Sequence, residues 1–271
     1  MQSEKTSREI AAWRLELRDE VSSTNTVLKE MALAGEAEGK VLIARRQRSG
    51  KGRMGRSFYS PEETGVYMSM LLRPNLTVQE SLLLTTAAAV AVAGAIEQIC
   101  QVEAQIKWVN DIYCHGKKVV GILTESALQT PTGASHAPQL SYAIVGIGIN
   151  LWTPTAGFPK ELQTIAGSVL DRPRQKEESD LRLALAKAVL ERFEAFYRAL
   201  PARTFMEEYR RRSLLIGQTV RVLDANHRPI EGYPPVTVLD VGDEAELIVA
   251  LPGGTRKAIH SGEVSVRPEN Q

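Results

Sequence analysis

The chain has 271 residues, 43% of them hydrophobic and 24% charged, a composition typical of a globular protein that can bury a sizeable core. Its formal net charge of +1 argues against a general nucleic-acid coat, because such proteins bind through many phosphate contacts. The two cysteines, Cys100 and Cys114, are too few for a disulfide framework and lack zinc-site spacing, so a cytoplasmic location is expected.

The first 21 residues are predicted to be a short lead of mixed charge, without the apolar core of a secretory signal. Residues 22–25 (SSTN) are good N-cap residues, and apolar residues at helical spacing follow them up to Gly35. This pattern predicts a helix, and the residues at its start have two compatible interpretations. Ser23 or Thr24 caps the helix, and the hydroxyl and amide groups there bind a polar ligand edge.

A loop rich in glycine and arginine follows a short strand predicted at 41–44. Residues 45–61 are RRQRSGKGRMGRSFYSP, and no acidic residue lies between Glu38 and Glu62. Glycine allows a ligand to approach backbone N–H groups closely. Guanidinium groups match the oxygens of carboxylates and phosphates. The pattern predicts a loop that closes over a small anion.

Three other interpretations of this loop stay open. It is also typical of a solvated basic surface loop. Gly50, Gly52 and Gly55 fit the pattern G-x-G-x-x-G, but dinucleotide binding requires a helix directly after the glycines, and 57–61 is a poor helix start. Phe58 and Tyr59 would stack on bases if the loop were a nucleic-acid-binding arm.

The middle of the chain predicts strands around one long helix. The uncharged stretch 81–96 is shorter than the roughly 20 residues of a membrane span, so we predict a buried helix and no membrane association. The predicted elements are a strand at 66–72, a helix at 79–100, a strand from 105 into a turn at Asn110-Asp111, a strand at 119–125 and a strand at 140–151.

The last third predicts two helices and then a different kind of structure. The helices are predicted from Ser179 or Asp180 to Pro201 and at 204–212. Five short strands follow, at 220–223, 236–241, 247–251, 256–259 and 264–266, and turn signals between them suggest a small β-barrel. The predicted fold is α+β, with a mixed β-sheet packed by helices at 1–216 and a barrel at 217–271.

Separated polar segments suggest one cleft. Lys107 precedes Asn110 and Asp111, Lys118 stands at the mouth of a strand with Gly121, and the strand at 146–150 carries two glycines and Asn150. Lone lysines are usually solvated, and Asp111 is equally suited to a turn. Together these groups suit an adenylate-forming reaction, in which cations hold a carboxylate and the polyphosphate of ATP. The four histidines form no triad or metal-binding spacing, so any magnesium is expected to arrive with ATP.

Five motifs resemble those of the biotin–protein ligases, specifically the short form without an N-terminal DNA-binding domain. They occur in the family's order, and the resemblance runs from about Val21 to the end of the chain. The resemblance implies a class II synthetase-like catalytic domain and an SH3-like C-terminal barrel. The motifs are STN at 23–25, GKGRMGR at 50–56, KWVND at 107–111, KVVGILTE at 118–125 and GIGIN at 146–150.

The resemblance implies a two-step enzyme, biotin–[acetyl-CoA-carboxylase] ligase. Biotin and Mg-ATP give biotinyl-5′-AMP, and biotin then passes to one lysine of a biotin carboxyl carrier protein. Implied catalytic residues are Lys118, Arg53 and Asp111. Implied biotin-binding residues are Ser23, Thr24, Asn25, Gln47, Gly50, Lys51, Gly52, Arg53, Lys118, Gly121 and Gly148. Implied ATP-binding residues are Arg53, Arg56, Phe58, Lys107, Asn110 and Asn150.

The chain departs from the family pattern at four positions. Lys51 and Met54 stand where arginine is usual, Phe58 where tryptophan is common, and Val109 where the family has proline. A lysine does not make the bidentate contacts of arginine, so loop closure is expected to differ. The alternatives are a lipoate- or octanoate-type protein ligase, a non-catalytic nucleotide- or nucleic-acid-binding protein, and a biotin-sensing repressor that also ligates. DNA binding is not expected, and homodimer formation is left open.

Overall fold

The computed structural model describes residues 13–129, 139–175, 181–224, 228–230, 234–260 and 265–268. The predicted cap at Ser179 or Asp180 and residues 1–12 of the predicted lead lie outside these ranges. Four α-helices are described: α1 (Thr24–Leu33), α2 (Leu82–Cys100), α3 (Leu181–Arg198) and α4 (Phe205–Arg211).

A seven-stranded mixed sheet forms the larger part of the fold, as predicted. Its spatial order is β1-β2-β3-β7-β6-β5-β4, and β1 pairs with β2 in parallel while the other pairs are antiparallel. The strands are β1 (Arg14–Val21), β2 (Lys40–Gln47), β3 (Gly65–Leu72), β4 (Gln105–Lys107), β5 (Asp111–Cys114), β6 (Lys117–Leu128) and β7 (Leu140–Asn150).

Two expectations about this sheet were wrong. Residues 14–21, predicted to belong to a short lead of mixed charge, form the edge strand β1 of the sheet. The apolar side chains of Leu15 and Leu17 remain 40% and 66% exposed, and Val21 at the end of the strand is its one buried residue. The strand therefore shows no alternation of buried apolar and exposed polar residues, and pairing with β2 defines it. The predicted turn at Asn110-Asp111 lies slightly earlier, at 108–110, and Asp111 begins β5.

Helices cover both faces of the sheet. Helix α2 lies in the main core with α3, and the first helix, α1, packs with Val21, Leu42 and Ile144 in a second, smaller core. The segment Gln79–Cys100 is long and apolar enough to cross a membrane, but 78% of its most apolar stretch is buried inside the protein. The prediction of a buried helix is therefore confirmed.

The five short strands predicted near the C-terminus form a second sheet, in the order β11-β10-β9-β8-β12. All its pairings are antiparallel. This confirms the small C-terminal sheet, while the domain boundary at 217 stays a prediction. The strands are β8 (Thr219–Leu223), β9 (Val236–Val241), β10 (Leu247–Ala250), β11 (Arg256–Ile259) and β12 (Ser265–Pro268).

The C-terminal sheet is bonded to the turn between β4 and β5. The buried indole Nε1 of Trp108 donates to the carbonyl oxygen of Ala245 at 2.7 Å. Arg210 of α4 donates through Nε to the carbonyl oxygen of Val241 at 2.6 Å. Trp108 directly follows Lys107 and precedes Asn110 and Asp111. The C-terminal sheet therefore supports the turn that carries Asn110 and that lies between Lys107 and Asp111.

We predict that Trp108→Phe lowers the free energy of unfolding by about 1–3 kcal/mol, because the buried carbonyl of Ala245 loses its donor. Denaturant titration would measure this. Trp13→Phe is the matched control, since Trp13 Nε1 also donates, at 3.0 Å to Glu194 Oε2, but in a partly exposed place where water replaces it. A loss no greater than that of the control would contradict the prediction.

Candidate active site

Antiparallel register places glycines side by side on one face of the large sheet. Gly148 of β7 pairs with Tyr67 of β3 on one side and with Gly121 of β6 on the other. In the next row, Gly146 lies between Ser69 and Leu123. Because residues two apart on a strand share a face, the three glycines form a trough whose floor is bare backbone at these positions.

The ring of Phe58 lies in this trough. A Cβ atom at position 148 would be 2.5 Å from Phe58 Cε1, and one at position 121 would be 3.2 Å from the same ring. Phe58 also packs edge-on against Tyr67, with ring centroids 6.5 Å apart. The glycines are therefore required for the ring, or any ligand that replaces it, to approach the backbone.

At one end of the trough is a polar pocket at the start of α1, which we call the ring pocket. Ser23, Thr24 and Asn25 are buried there. Thr24 donates its backbone N–H and its hydroxyl to Gln47 Oε1, at 2.8 and 3.1 Å. The unfilled volume is about 20 Å³ with Phe58 in place. Ser23 occupies the N-cap position without a side-chain capping bond, so the capping hypothesis is not supported.

Asn25 has all its amide groups engaged. Its Nδ2 donates to Leu123 O at 3.3 Å and to Glu125 Oε2 at 2.8 Å. Its Oδ1 accepts from the hydroxyl of Ser69 at 2.6 Å. Gly146 lies directly beneath, where a Cβ would be 2.0 Å from Asn25 Oδ1. The orientation of the amide is thus fixed, and Asn25 and Gly146 both line the ring pocket.

At the other end of the trough is a larger cleft of about 690 Å³, which we call the cationic cleft. Lys118 Nζ lies 2.7 Å from Asp111 Oδ1 in an ion pair, although the angles are not those of a hydrogen bond. Arg53 Nη1 donates to Asn110 Oδ1 at 3.0 Å. Five cationic side chains and one acidic side chain line the cleft: Lys51, Arg53, Arg56, Lys107, Lys118 and Asp111.

Burial shifts the pKa of two groups in the cleft. It lowers the pKa of the Arg53 guanidinium, an effect that nearby Asp111 opposes. It also raises the pKa of Tyr113 to about 12, with a further contribution from Asp111. Lys107 Nζ lies over the Tyr113 ring, 5.6 Å from the centroid. The surplus of positive charge and partial desolvation favour a polyanionic ligand.

The glycine-arginine loop forms a small hairpin over the trough. Lys51 and Ser57 form an isolated antiparallel bridge, and Gly52 N–H donates to Arg56 O at 2.7 Å. A single 3₁₀ turn at Arg53–Gly55 lies between them, and Ser57 to Pro61 is not helical. The dinucleotide-binding interpretation is therefore excluded, since it requires a helix after the glycines.

Comparison with known proteins decides the family. The model of the Biotin/lipoate A/B protein ligase family matches residues 18–150. The bifunctional ligase/repressor BirA of Bacillus subtilis (strain 168) is 34% identical over 264 residues, covering 95% of this chain and 75% of that protein. The chain belongs to the biotin/lipoate A/B protein ligase family.

Other relatives agree over nearly the whole chain. The biotin–[acetyl-CoA-carboxylase] ligase of Mycobacterium tuberculosis is 29% identical, covering 94% of this chain and 90% of that protein. The structure of the Aquifex aeolicus biotin protein ligase in complex with biotin and ATP is 28% identical and matches with a TM-score of 0.70, covering 94% of this chain and 99% of that one. The resemblance and the fold class inferred from the motifs are both confirmed.

Most residues that the motifs indicated meet around the trough. Gly50, although part of the loop, lines a separate groove of about 510 Å³. Asn150 lines neither the ring pocket nor the cleft; its Nδ2 donates to Gly167 O at 3.1 Å. The ring pocket contains Ser23, Thr24, Asn25, Gln47, Lys51, Phe58, Gly121 and Gly148, and the cleft contains Lys51, Gly52, Arg53, Arg56, Phe58, Lys107, Asn110, Asp111, Lys118 and Gly121.

The motifs left four contributors unassigned: Ser69, Tyr113, Leu123 and Glu125. Ser69 is a lone polar residue in the apolar run VYMSMLL, and Glu125 ends the motif at 118–125. Both were visible as polar residues on predicted strands, but only the strand register brings them to Asn25. Within the described ranges, no three His, Cys, Asp or Glu side chains are grouped to hold a metal.

Proposed function

We propose that this ligase activates biotin with Mg-ATP to biotinyl-5′-AMP and transfers biotin to a specific lysine of a biotin carboxyl carrier protein. The observation that carries the proposal is a ring pocket with fixed hydrogen-bonding groups, joined by a glycine-floored trough to a cationic cleft. The names of the relatives support the same activity. In this proposal the trough holds the aliphatic chain of biotin once Phe58 moves aside.

The ring pocket suits the ureido ring of biotin. Asn25 presents Oδ1 as an acceptor, because both hydrogens of its amide are used elsewhere. Gln47 Oε1 is occupied by Thr24, and its Nε2 donates one hydrogen to Ser60 Oγ at 3.0 Å, so the second Nε2 hydrogen is the donor left for a ligand. A ureido group supplies N–H donors and a carbonyl acceptor to match. The dithiolane ring of lipoate supplies neither, and a site built to hydrogen-bond its ligand rejects an analogue that leaves these groups unpaired.

The cationic cleft suits the first step. A biotin carboxylate oxygen attacks the α-phosphorus of ATP, the new O–P bond forms, and the bond to pyrophosphate breaks. Negative charge grows on the phosphorus oxygens, and Lys118, Arg53 and Arg56, which line the cleft, would stabilise it. Lys107 and Asn110 would contact the nucleotide. Magnesium would arrive bound to the ATP phosphates, and Phe58 would lie against the adenine or the biotin chain after loop rearrangement.

The second step needs a neutral amine. The acceptor lysine attacks the acyl carbon, an amide forms, and AMP leaves. A free lysine, with a pKa of about 10.4, is only about 0.04% neutral at pH 7, so a nearby carboxylate that accepts the proton would accelerate transfer. Asp111 is the acidic side chain that lines the cleft, and its ion pair with Lys118 would keep it beside the reacting centre.

We predict that Lys118→Ala slows adenylate formation by about 100- to 1000-fold, because a cation that stabilises the transition state is removed. Pyrophosphate release would measure this. Lys117→Ala is the matched control, since the side chain of Lys117 donates to backbone oxygens of Gln163 and Thr164 in an exposed place. A near-normal rate for Lys118→Ala would remove Lys118 from the catalytic residues.

We predict that Gly146→Ala raises KM for biotin by about 10-fold or more, because the new Cβ would be 2.0 Å from Asn25 Oδ1 and displace the amide. Steady-state kinetics with biotin varied would show it. Gly94→Ala on α2 is the control, because its Cβ meets only the flexible end of Arg192. An unchanged KM for Gly146→Ala would contradict the assigned ring pocket.

We predict that biotin plus ATP protects the loop from trypsin. The side chains of Arg48 and Arg56 are exposed in the free protein, and glycines with like charges favour an open loop. Cleavage after the arginines from 48 to 56 should slow when both substrates are present, because the loop then excludes water from the adenylate. Equal cleavage rates with and without substrates would count against loop closure.

The whole proposal is tested by transfer of labelled biotin to a biotin carboxyl carrier domain, with and without ATP, and with lipoate as competitor. ATP-dependent labelling of one lysine supports it. Labelling by lipoate alone would indicate the lipoate-type activity instead. No labelling by folded protein would contradict an enzymatic role, and a mobility-shift assay with duplex DNA at physiological salt would then test nucleic-acid binding.

A further inference from the structure

Glu125 contacts two parts of the site, although the motifs gave this residue no role. It lies on β6, two residues beyond Leu123 and four beyond Gly121, so all three share the face of the trough. Its Oε2 accepts from Asn25 Nδ2 at 2.8 Å, and its Oε1 lies 3.5 Å from Lys51 Nζ. One carboxylate therefore contacts both the ring pocket and the loop.

The carboxylate determines how Asn25 is oriented. An ionised carboxylate only accepts hydrogen bonds, so rotating the Asn25 amide by 180° would place two oxygens against each other. From the opposite side, the hydroxyl of Ser69 donates to Asn25 Oδ1 at 2.6 Å. Glu125 and Ser69 therefore fix the orientation of an amide that lines the ring pocket, and they keep its oxygen as an acceptor.

The same carboxylate also holds the loop. Lys51 stands between Gly50 and Gly52, and its backbone bridges Ser57 at the base of the hairpin. Its side chain is 40% exposed and its ion pair with Glu125 is long, so the pair contributes little to stability. The ion pair matters for position rather than for stability, because it holds the Lys51 side chain beside the ring pocket.

We propose that Glu125 is a positioning residue that couples ring recognition to loop closure. This inference rests on the proposed function. A ring bound against Asn25 reinforces the amide orientation that Glu125 selects, and the second oxygen of Glu125 keeps Lys51 over the occupied pocket. Loss of Glu125 would then weaken biotin binding and allow biotinyl-5′-AMP to escape or hydrolyse before transfer.

Two variants separate the two contacts. Glu125→Ala removes both, and it should raise KM for biotin about 10- to 100-fold, as expected for a lost charge-assisted hydrogen bond, while KM for ATP stays unchanged. Glu125→Gln keeps an amide oxygen for Asn25 but removes the charge that attracts Lys51. It should keep KM for biotin within about threefold of wild type, yet release the adenylate faster in the absence of acceptor.

Glu16→Ala is the matched control. Glu16 has the same 29% side-chain exposure as Glu125 and pairs with a lysine, Lys40, at 2.7 Å on the edge of the sheet. For each variant, KM for biotin and for ATP, kcat, adenylate release and the thermal unfolding midpoint would be measured. We expect Glu16→Ala to change none of the kinetic values.

Each outcome has a definite meaning. Glu125 variants with the kinetics of Glu16→Ala, in a wild-type enzyme that biotinylates, would overturn this inference alone. Equal losses for biotin and ATP together with a lowered unfolding midpoint would also overturn it, since that is a structural defect. A folded wild-type protein that forms no adenylate from biotin would overturn the proposed function, and this inference with it.

Discussion

The antiparallel register of three strands is the constraint on which the site depends. It places Gly121, Gly146 and Gly148 together, and a shift of one residue would replace glycines by Ile147 or Ile122 at the trough floor. The floor then lets Asn25 and Phe58 lie directly on the backbone, where Cβ atoms at 146 and 148 would collide with them. The polar groups at α1 and the cations of the loop meet only because this floor lies between them.

Hydrogen bonding gives the ring pocket its polarity. Asn25 and Gln47 each have an amide that could face either way, and the surrounding groups choose one orientation for each. A pocket with a defined acceptor and donor selects its ligand by chemistry as well as by shape. The cationic cleft has no such specificity, since surplus charge attracts any polyanion. Substrate choice therefore depends mainly on the ring pocket.

The C-terminal sheet is part of the same structure. Its strands contribute Val220, Val238 and Leu247 to the main core, and Leu223 lines the cationic cleft. The bond from Trp108 to Ala245 attaches it to the turn that carries Asn110. Strands β8 to β12 were recognisable from turn residues and short apolar runs. Their contact with the cleft was not, because the local sequence of a strand does not indicate which distant residues it will contact.

The sequence by itself determined most of the strands, the helices, the five motifs and hence the family, because these depend on local periodicity and on residues close together in the chain. Only the tertiary structure decided the rest. It showed that residues 14–21 form an edge strand, that Asn150 is turned to Gly167, and that Ser69 and Glu125 hold Asn25. The contacts of Asn25 with Ser69 and Glu125 join residues 44 and 100 positions apart, and strand register, which arises from packing of the whole sheet, brings them together.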